Sequence, residues 1–479
     1  MKMCRKRDLI TTLLLGITLL LAVGCTEKIV PARQQFFQQV EEIPMPDFSG
    51  FKSPQLRQNQ NPETGIALCI SGGGTRAANF GMGILLGLEE LQLESGNNVL
   101  QEIDYLSTVS GGGFPAGAYI SSLFDYYNYG DRSQPYSLKE DFDKKIKYDL
   151  SRSYAAPMIR AHLSSPRLWF SHLDAGDVLE QTIDNYILGH INRRLKYNER
   201  RSILLGDIFI RKEYKDEPVQ LPFHVANGTN FANMSIIPFT PDVIERYAIT
   251  GYTHRVKYCS DEICIEANDL AYSVGIKASG SFPVAISSTT LASNFWKKNC
   301  YIHIIDGGIA DNLGYKTAVH ILQNDRDVSR KVMMIIDADN TGVKETFSKK
   351  QTPPGTLSML GRLQFSSLDT RHIVMEKELN EVCQLYNISS ILFNFELLIR
   401  DNCTEPPEVI EVEKEARRLV WLLKTNMENI DERDMQILYE LCLNISTKYT
   451  IKDYEQDLLV LTGRKIVQMQ KDKILDLMH

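Results

Sequence analysis

Short apolar runs alternate along this chain with segments of helical periodicity, and several of the runs stop abruptly on glycine. Ile66-Ala67-Leu68-Cys69-Ile70 precedes the helical NFGMGILLGLEEL, Asp104–Val109 precedes a segment opening at Gly113, and FHVANGT, YIHIID and VMMIIDA follow later. A continuous run such as Val332–Ile336 suits a strand covered on both faces, because an open face would favour alternation with polar residues. Strands of that kind interleaved with helices predict an α/β fold, a central mostly parallel sheet between helical layers. The chain has 479 residues, enough for one large or two ordinary domains, and its 43% hydrophobic and 24% charged content is that of a globular protein. A net charge of -7, with no basic stretch beyond the first residues, argues against nucleic acid as a partner.

The first 25 residues form a unit of their own. Lys2, Arg5, Lys6 and Arg7 precede the uncharged stretch from Leu9 to Gly24, and Ala22-Val23-Gly24 stand before Cys25. This is the pattern of a lipoprotein signal peptide, in which Cys25 becomes the lipidated first residue; a short uncleaved anchor is the alternative. Both place the body of the chain outside the cytoplasm and tethered to a membrane. Thr26 in place of Asp is similar to bacterial lipoproteins sent on to the outer membrane, facing the periplasm.

Residues 26–64, rich in Pro, Gln and acids, read as a linker. Residues 123–215 are a helical, aromatic insertion, expected as a cap near the site, with Trp169 and Phe170 as either lipid-facing or core groups. Residues 346–479 read as a loop-rich connection followed by a helical C-terminal region, in which Thr450 and Asp453 have capping-box spacing at one helix start. Among the cysteines, Cys259 and Cys264 either close a small disulfide loop or stand as buried thiols. No metal-ligand spacing appears, and nothing calls for a cofactor; Asp337 and Asp339 read as structural acids at a strand end.

Three segments carry chemistry. Ser71-Gly72-Gly73-Gly74-Thr75-Arg76 ends a strand and opens a helix, where exposed backbone N–H groups hold an anion, either a phosphate or the oxyanion of an acyl intermediate. It lacks the Gly-Lys-Ser/Thr ending of a P-loop and fails G-x-G-x-x-G at Ala77, so nucleotide binding is disfavoured and a purely structural turn is the other reading. Ser110 follows the run ending at Val109 and precedes Gly111-Gly112-Gly113, the layout of a nucleophile elbow, although Thr108 stands where that pattern has glycine. Ser107 is the rival nucleophile. None of the nine histidines stands in a recognisable site, whereas Asp306, ending Tyr301–Ile305 and followed by Gly307-Gly308, offers a carboxylate base at a strand tip.

Together these segments resemble the patatin-like phospholipase family. SGGGTR is similar to its G-G-G-x-R oxyanion motif, IDYLSTVSGGG to its nucleophile segment, and DGGIADN to its D-G-G motif with Asn312 downstream; KASGSFPVAIS (277–287) resembles the small-residue segment before D-G-G. The resemblance spans about residues 65–345. It implies a patatin-like three-layer sandwich, Ser110 and Asp306 as a catalytic dyad, and Gly72, Gly73, Gly74, Arg76 and Gly111 as oxyanion or substrate-binding residues. Arg76 either holds a lipid phosphate or ties the oxyanion loop to a nearby carboxylate or carbonyl. The implied activity is hydrolysis of phospholipid or lysophospholipid esters at a membrane, with an acyltransferase or general esterase, or a non-catalytic lipid- or protein-binding lipoprotein, as alternatives.

Overall fold

The structure, a computed structural model, describes residues 61–478 except 62, 155, 159, 161–174, 210–212, 215–216, 219–220, 253–268, 284–285, 294–299, 326–327, 339–376, 400–410 and 447–449. The expected signal peptide with Cys25, nearly all of the expected linker, Trp169, Phe170, the Cys259–Cys264 stretch, Asp339 and the connection at 346–370 lie outside the described residues.

The apolar runs are strands of one nine-stranded sheet. These are β1 (Thr64–Ile70), β2 (Tyr105–Val109), β3 (Phe223–Asn230), β4 (Ile236–Pro238), β5 (Ile249–Tyr252), β6 (Thr289–Ser293), β7 (Cys300–Asp306), β8 (Arg330–Ile336) and β9 (Ile388–Phe393). Their order is β9-β8-β1-β2-β3-β7-β6-β5, with β4 paired to β3 on the side. From β9 to β3 every neighbouring pair is parallel. Beyond β3 the pairs are antiparallel.

Residue alternation in the central strands shows the layers. Ile66, Leu68 and Ile70 join one apolar core, while Ala67 and Cys69 point into another; Val332, Met334 and Ile336 divide from Met333 and Ile335 in the same way. Such a strand has no polar face, which is why its sequence is a continuous apolar run. One core is closed by α1 (Gly74–Glu90) and α2 (Gly113–Tyr129), the other by α4 (Tyr315–Asn324); α3 (Tyr272–Ser279) packs across β3. The helices expected between 123 and 215 bury Leu138, Ile146, Leu179, Ile183 and Ile191 in the first core, so they are continuous with it.

The region from 346 onward contains more than helices. It supplies β9, parallel to β8 at the sheet edge. It also supplies α5 (Val412–Asn426), α6 (Glu432–Asn444), α7 (Asp453–Met469) and α8 (Lys471–Met478). Of these α7 lies directly on α1, where Gly83, Gly87 and Gly463 let the two backbones meet: a Cβ on Gly463 would sit 2.7 Å from the Phe80 carbonyl oxygen. The helix at the Thr450 capping signal starts later, with Lys452 at the cap and its N–H donating to the Glu455 carboxylate at 3.0 Å. Thr450 has another partner, its carbonyl accepting from Thr75 Oγ1 at 3.4 Å. Among the described residues no helix is long and apolar enough to cross a membrane.

Candidate active site

The site lies where the parallel strands end. Val109 of β2 is level with Asn227 of β3, and Asp306 of the antiparallel β7 pairs with Gly228, one residue further out. The reversal of direction at β7 therefore delivers a carboxylate to the height of the residue that follows β2.

That residue, Ser110, has φ 49°, a left-handed conformation uncommon for a residue with a side chain and characteristic of strained functional turns. Its Oγ donates to Asp306 Oδ2 at 2.7 Å, and its N–H donates to Ser279 Oγ at 2.9 Å. Ser279 in turn donates to the Asn227 carbonyl at 2.6 Å, so the C-terminus of α3 clamps the elbow onto β3. The missing glycine at Thr108 is explained by where the strain falls. Ser110 carries it, whereas Thr108 is still in extended β2, where β-branched residues are favoured. Thr108 Oγ1 is 2.7 Å from His224 Nε2, and the other ring nitrogen of His224 bonds the Tyr272 hydroxyl. Complete burial pushes the imidazole down to about 3, so it is neutral at ordinary pH.

Ser107 is engaged elsewhere. Its hydroxyl donates to the Gly314 carbonyl at 2.6 Å and accepts from Asn227 Nδ2 at 2.9 Å, all in the buried layer below α4.

Asp306 is 4% exposed. Desolvation pushes its carboxyl up to about 6, against the hydrogen bonds from Ser110 and from the Gly308 N–H, which favour the charged form. A base with that value accepts a proton from serine more readily than an exposed aspartate does, yet is ionised at neutral pH.

Facing the elbow is the glycine loop. Gly73 and Gly74 have φ 137° and 58°, conformations closed to most side chains, and their N–H groups open α1 with no intrahelical acceptor. Gly111 abuts this loop so closely that a Cβ there would lie 2.6 Å from the Gly74 nitrogen. The glycine loop at Gly73–Gly74 and the elbow at Gly111 are therefore packed backbone against backbone. Gly72 differs from them: its N–H donates to the Asn312 carbonyl at 3.0 Å, so it anchors the loop and is not a donor to substrate.

Arg76, in the first turn of α1, is 3% exposed and donates from Nη1 to the Ile445 carbonyl at 3.2 Å. This geometry matches the second of the two roles expected for it, tying the oxyanion loop to a carbonyl, here in the C-terminal helical region. Asp337 is buried at the end of β8, its N–H donating to the Phe393 carbonyl at 2.8 Å. Among the described residues no group of three or more His, Cys, Asp or Glu comes together in a way that would hold a metal ion.

Ser279, Asn227, Thr108 and His224 are site components that sequence reasoning did not assign. The signals available were the small-residue segment at 277–287 and the polar residues inside the apolar run 223–229.

A serine on a strained strand-to-helix turn, at the ends of parallel strands in a sheet between helical layers, gives this chain an α/β sandwich with the geometry of a nucleophile elbow. The model of the patatin-like phospholipase family matches residues 68–319, more than half of the chain, from within β1 to the middle of α4, and the protein belongs to that family. Its structure is similar to that of human GIVD cytosolic phospholipase A2 at 11% sequence identity and a TM-score of 0.40. That similarity covers 89% of this chain and 64% of the human one, so the chain spans less than two thirds of the longer protein. Comparison with the curated proteins gives no match.

Proposed function

We propose that the protein is a membrane-tethered phospholipase or lysophospholipase using Ser110 and Asp306 as its dyad. The observation that carries this is the 2.7 Å hydrogen bond from Ser110 Oγ to a carboxylate that burial has made a stronger base. In the first step Ser110 Oγ attacks the ester carbonyl carbon while its proton passes to Asp306, and the amides of Gly73, Gly74 and Gly111 take the oxyanion. Collapse of the intermediate breaks the bond to the alcohol, which leaves with the proton from Asp306, and the acyl group stays on Ser110. Water then attacks the acyl-enzyme, gives its proton to Asp306, and releases the fatty acid as the proton returns to Ser110.

The tether is assigned to Cys25 through the signal-peptide pattern at residues 1–25, and the location to the periplasmic face of a bacterial outer membrane. The activity test is fatty-acid release from a panel of phospholipids and lysophospholipids by the wild type, Ser110→Ala and Asp306→Asn. Release abolished in both variants supports the dyad. A folded wild type that releases nothing and takes no fluorophosphonate on Ser110 refutes it. Incorporation of labelled palmitate that disappears in Cys25→Ser checks the tether.

A further inference from the structure

We infer that the turn joining β3 to β4, together with the outer end of β7, is a lipid-docking surface that sets Ser110 against the acyl layer of a bilayer; this rests on the lipid-ester reading of the site. β1 and β2 turn into helices at the level of the nucleophile, but the antiparallel half of the sheet continues past it. β3 runs on beyond Asn227 to Asn230, and β7 starts six residues outward from Asp306, at Cys300, so the sheet rises on the order of 20 Å above the dyad at about 3.3 Å per residue.

This wall carries exposed apolar side chains on the side of the molecule that a lipid substrate has to approach. Phe231, Met234 and Tyr301 are 41%, 45% and 49% exposed. The Phe231 N–H donates to the His303 carbonyl at 2.9 Å, which puts Phe231 opposite His303 and on the same sheet face as Tyr301 two residues away.

Folding does not account for Met234. It stands at φ 58°, where glycine or asparagine would be less strained, in a turn already stitched by Met234 N–H to the Asn230 carbonyl at 2.8 Å and Ala232 N–H to Asn230 Oδ1 at 2.9 Å. A tight turn that holds a large apolar side chain outward at conformational cost is built to present it. Residues 230–238, NFANMSIIP, contain no charge, so this turn fits the apolar layer of a membrane. Tyr301 adds an amphipathic ring suited to the boundary between headgroup and acyl chain.

The full-length chain with Tyr301→p-benzoylphenylalanine, illuminated on phosphatidylcholine vesicles, is expected to crosslink to acyl chains. The same group at Ser95, exposed in the turn at the opposite end of the sheet, is expected not to. The crosslink is expected to persist with Ser110→Ala, so a failure of the hydrolase reading leaves this arm able to decide. In active protein, Met234→Asn with Tyr301→Ser is expected to lower vesicle hydrolysis about tenfold, from the apolar area lost, while turnover of a soluble short-chain ester is unchanged. Equal crosslinking at Ser95, crosslinks only between protein copies, or a parallel fall on both substrates would overturn the inference.

Discussion

Asp306 makes the fold and the chemistry depend on pH in opposite senses, and the two can be measured against each other. Its carboxyl rises from 3.8 to about 6 on folding, chiefly through desolvation. At about 1.36 kcal/mol per unit, the ionised form costs the folded state roughly 3 kcal/mol. The sign follows from linkage: a carboxyl with a raised folded value leaves stability intact below 3.8 and erodes it as pH climbs through about 6. Asp306→Asn removes the titration. The unfolding free energy of the variant minus that of the wild type should therefore grow by about 2.5 kcal/mol between pH 4 and pH 7, in favour of the variant. Constant costs of the amide, such as a mismatch with the Gly308 N–H, cancel between the two pH values. The acid-side loss from His224, whose folded value of about 3 makes stability fall as pH drops below the ordinary imidazole range, is common to both proteins and cancels too. Denaturant unfolding at pH 4, 5, 6 and 7 measures the difference. The kcat/KM of the wild type on a soluble ester should fall tenfold per unit below about pH 6, to about one hundredth of its plateau at pH 4, because only the ionised carboxylate accepts the serine proton. A stability difference flat to within about 0.5 kcal/mol, or a rate limb near pH 4, would refute the assignment of the buried base. A limb near pH 6 with a flat stability difference would move the titrating group elsewhere.

Ser279→Ala deprives the Ser110 N–H of its acceptor, and an unsatisfied buried N–H costs about 1–3 kcal/mol; kcat and the rate of fluorophosphonate labelling should both fall at least about tenfold with KM unchanged. Retention of the full labelling rate would show that the elbow keeps its geometry without this clamp. Arg76→Ala removes the link to the Ile445 carbonyl and should lower the unfolding free energy by about 2 kcal/mol, with KM shifting equally for phospholipids and for neutral esters. A KM rise confined to phospholipids would return Arg76 to the role of phosphate ligand. Gly83→Ala places a methyl group against the Val460 carbonyl of α7, and overpacking of this kind costs about 1–3 kcal/mol or more, read as a lower denaturation midpoint.

What the sequence reveals about this fold and site, and what it hides, divides by where a residue finds its partner. Ile66–Ile70 and Val332–Ile336 are legible because the two-sided cover they need leaves no room for polar residues, and the glycines at 72–74 because positive φ and close approach are backbone demands met at the residue itself. Asp306 was legible as a strand-end carboxylate for the same reason. Thr108 shows the limit of a local rule: the expected glycine is dispensable because the strain is confined to Ser110, and only the dihedrals reveal this. β9 was missed since Ile388-Ser389-Ser390-Ile391-Leu392-Phe393 mixes serines into a short edge strand, partly exposed and carrying neither strong periodicity nor a bounding turn signal. Arg76 and Ser279 carried the right chemical type but no address. The first meets a carbonyl 369 positions along the chain, and the second meets the nucleophile at a separation of 169, distances over which composition and spacing hold no information. The same holds for α7, whose Gly463 reads as a weak point in a helix until Phe80 is seen against it. Residues that act through a distant partner are thus visible in the sequence as anomalies, a glycine inside a helix or a hydroxyl at a helix end, and those anomalies are where the C-terminal region and α3 reach back to hold the glycine loop and the elbow.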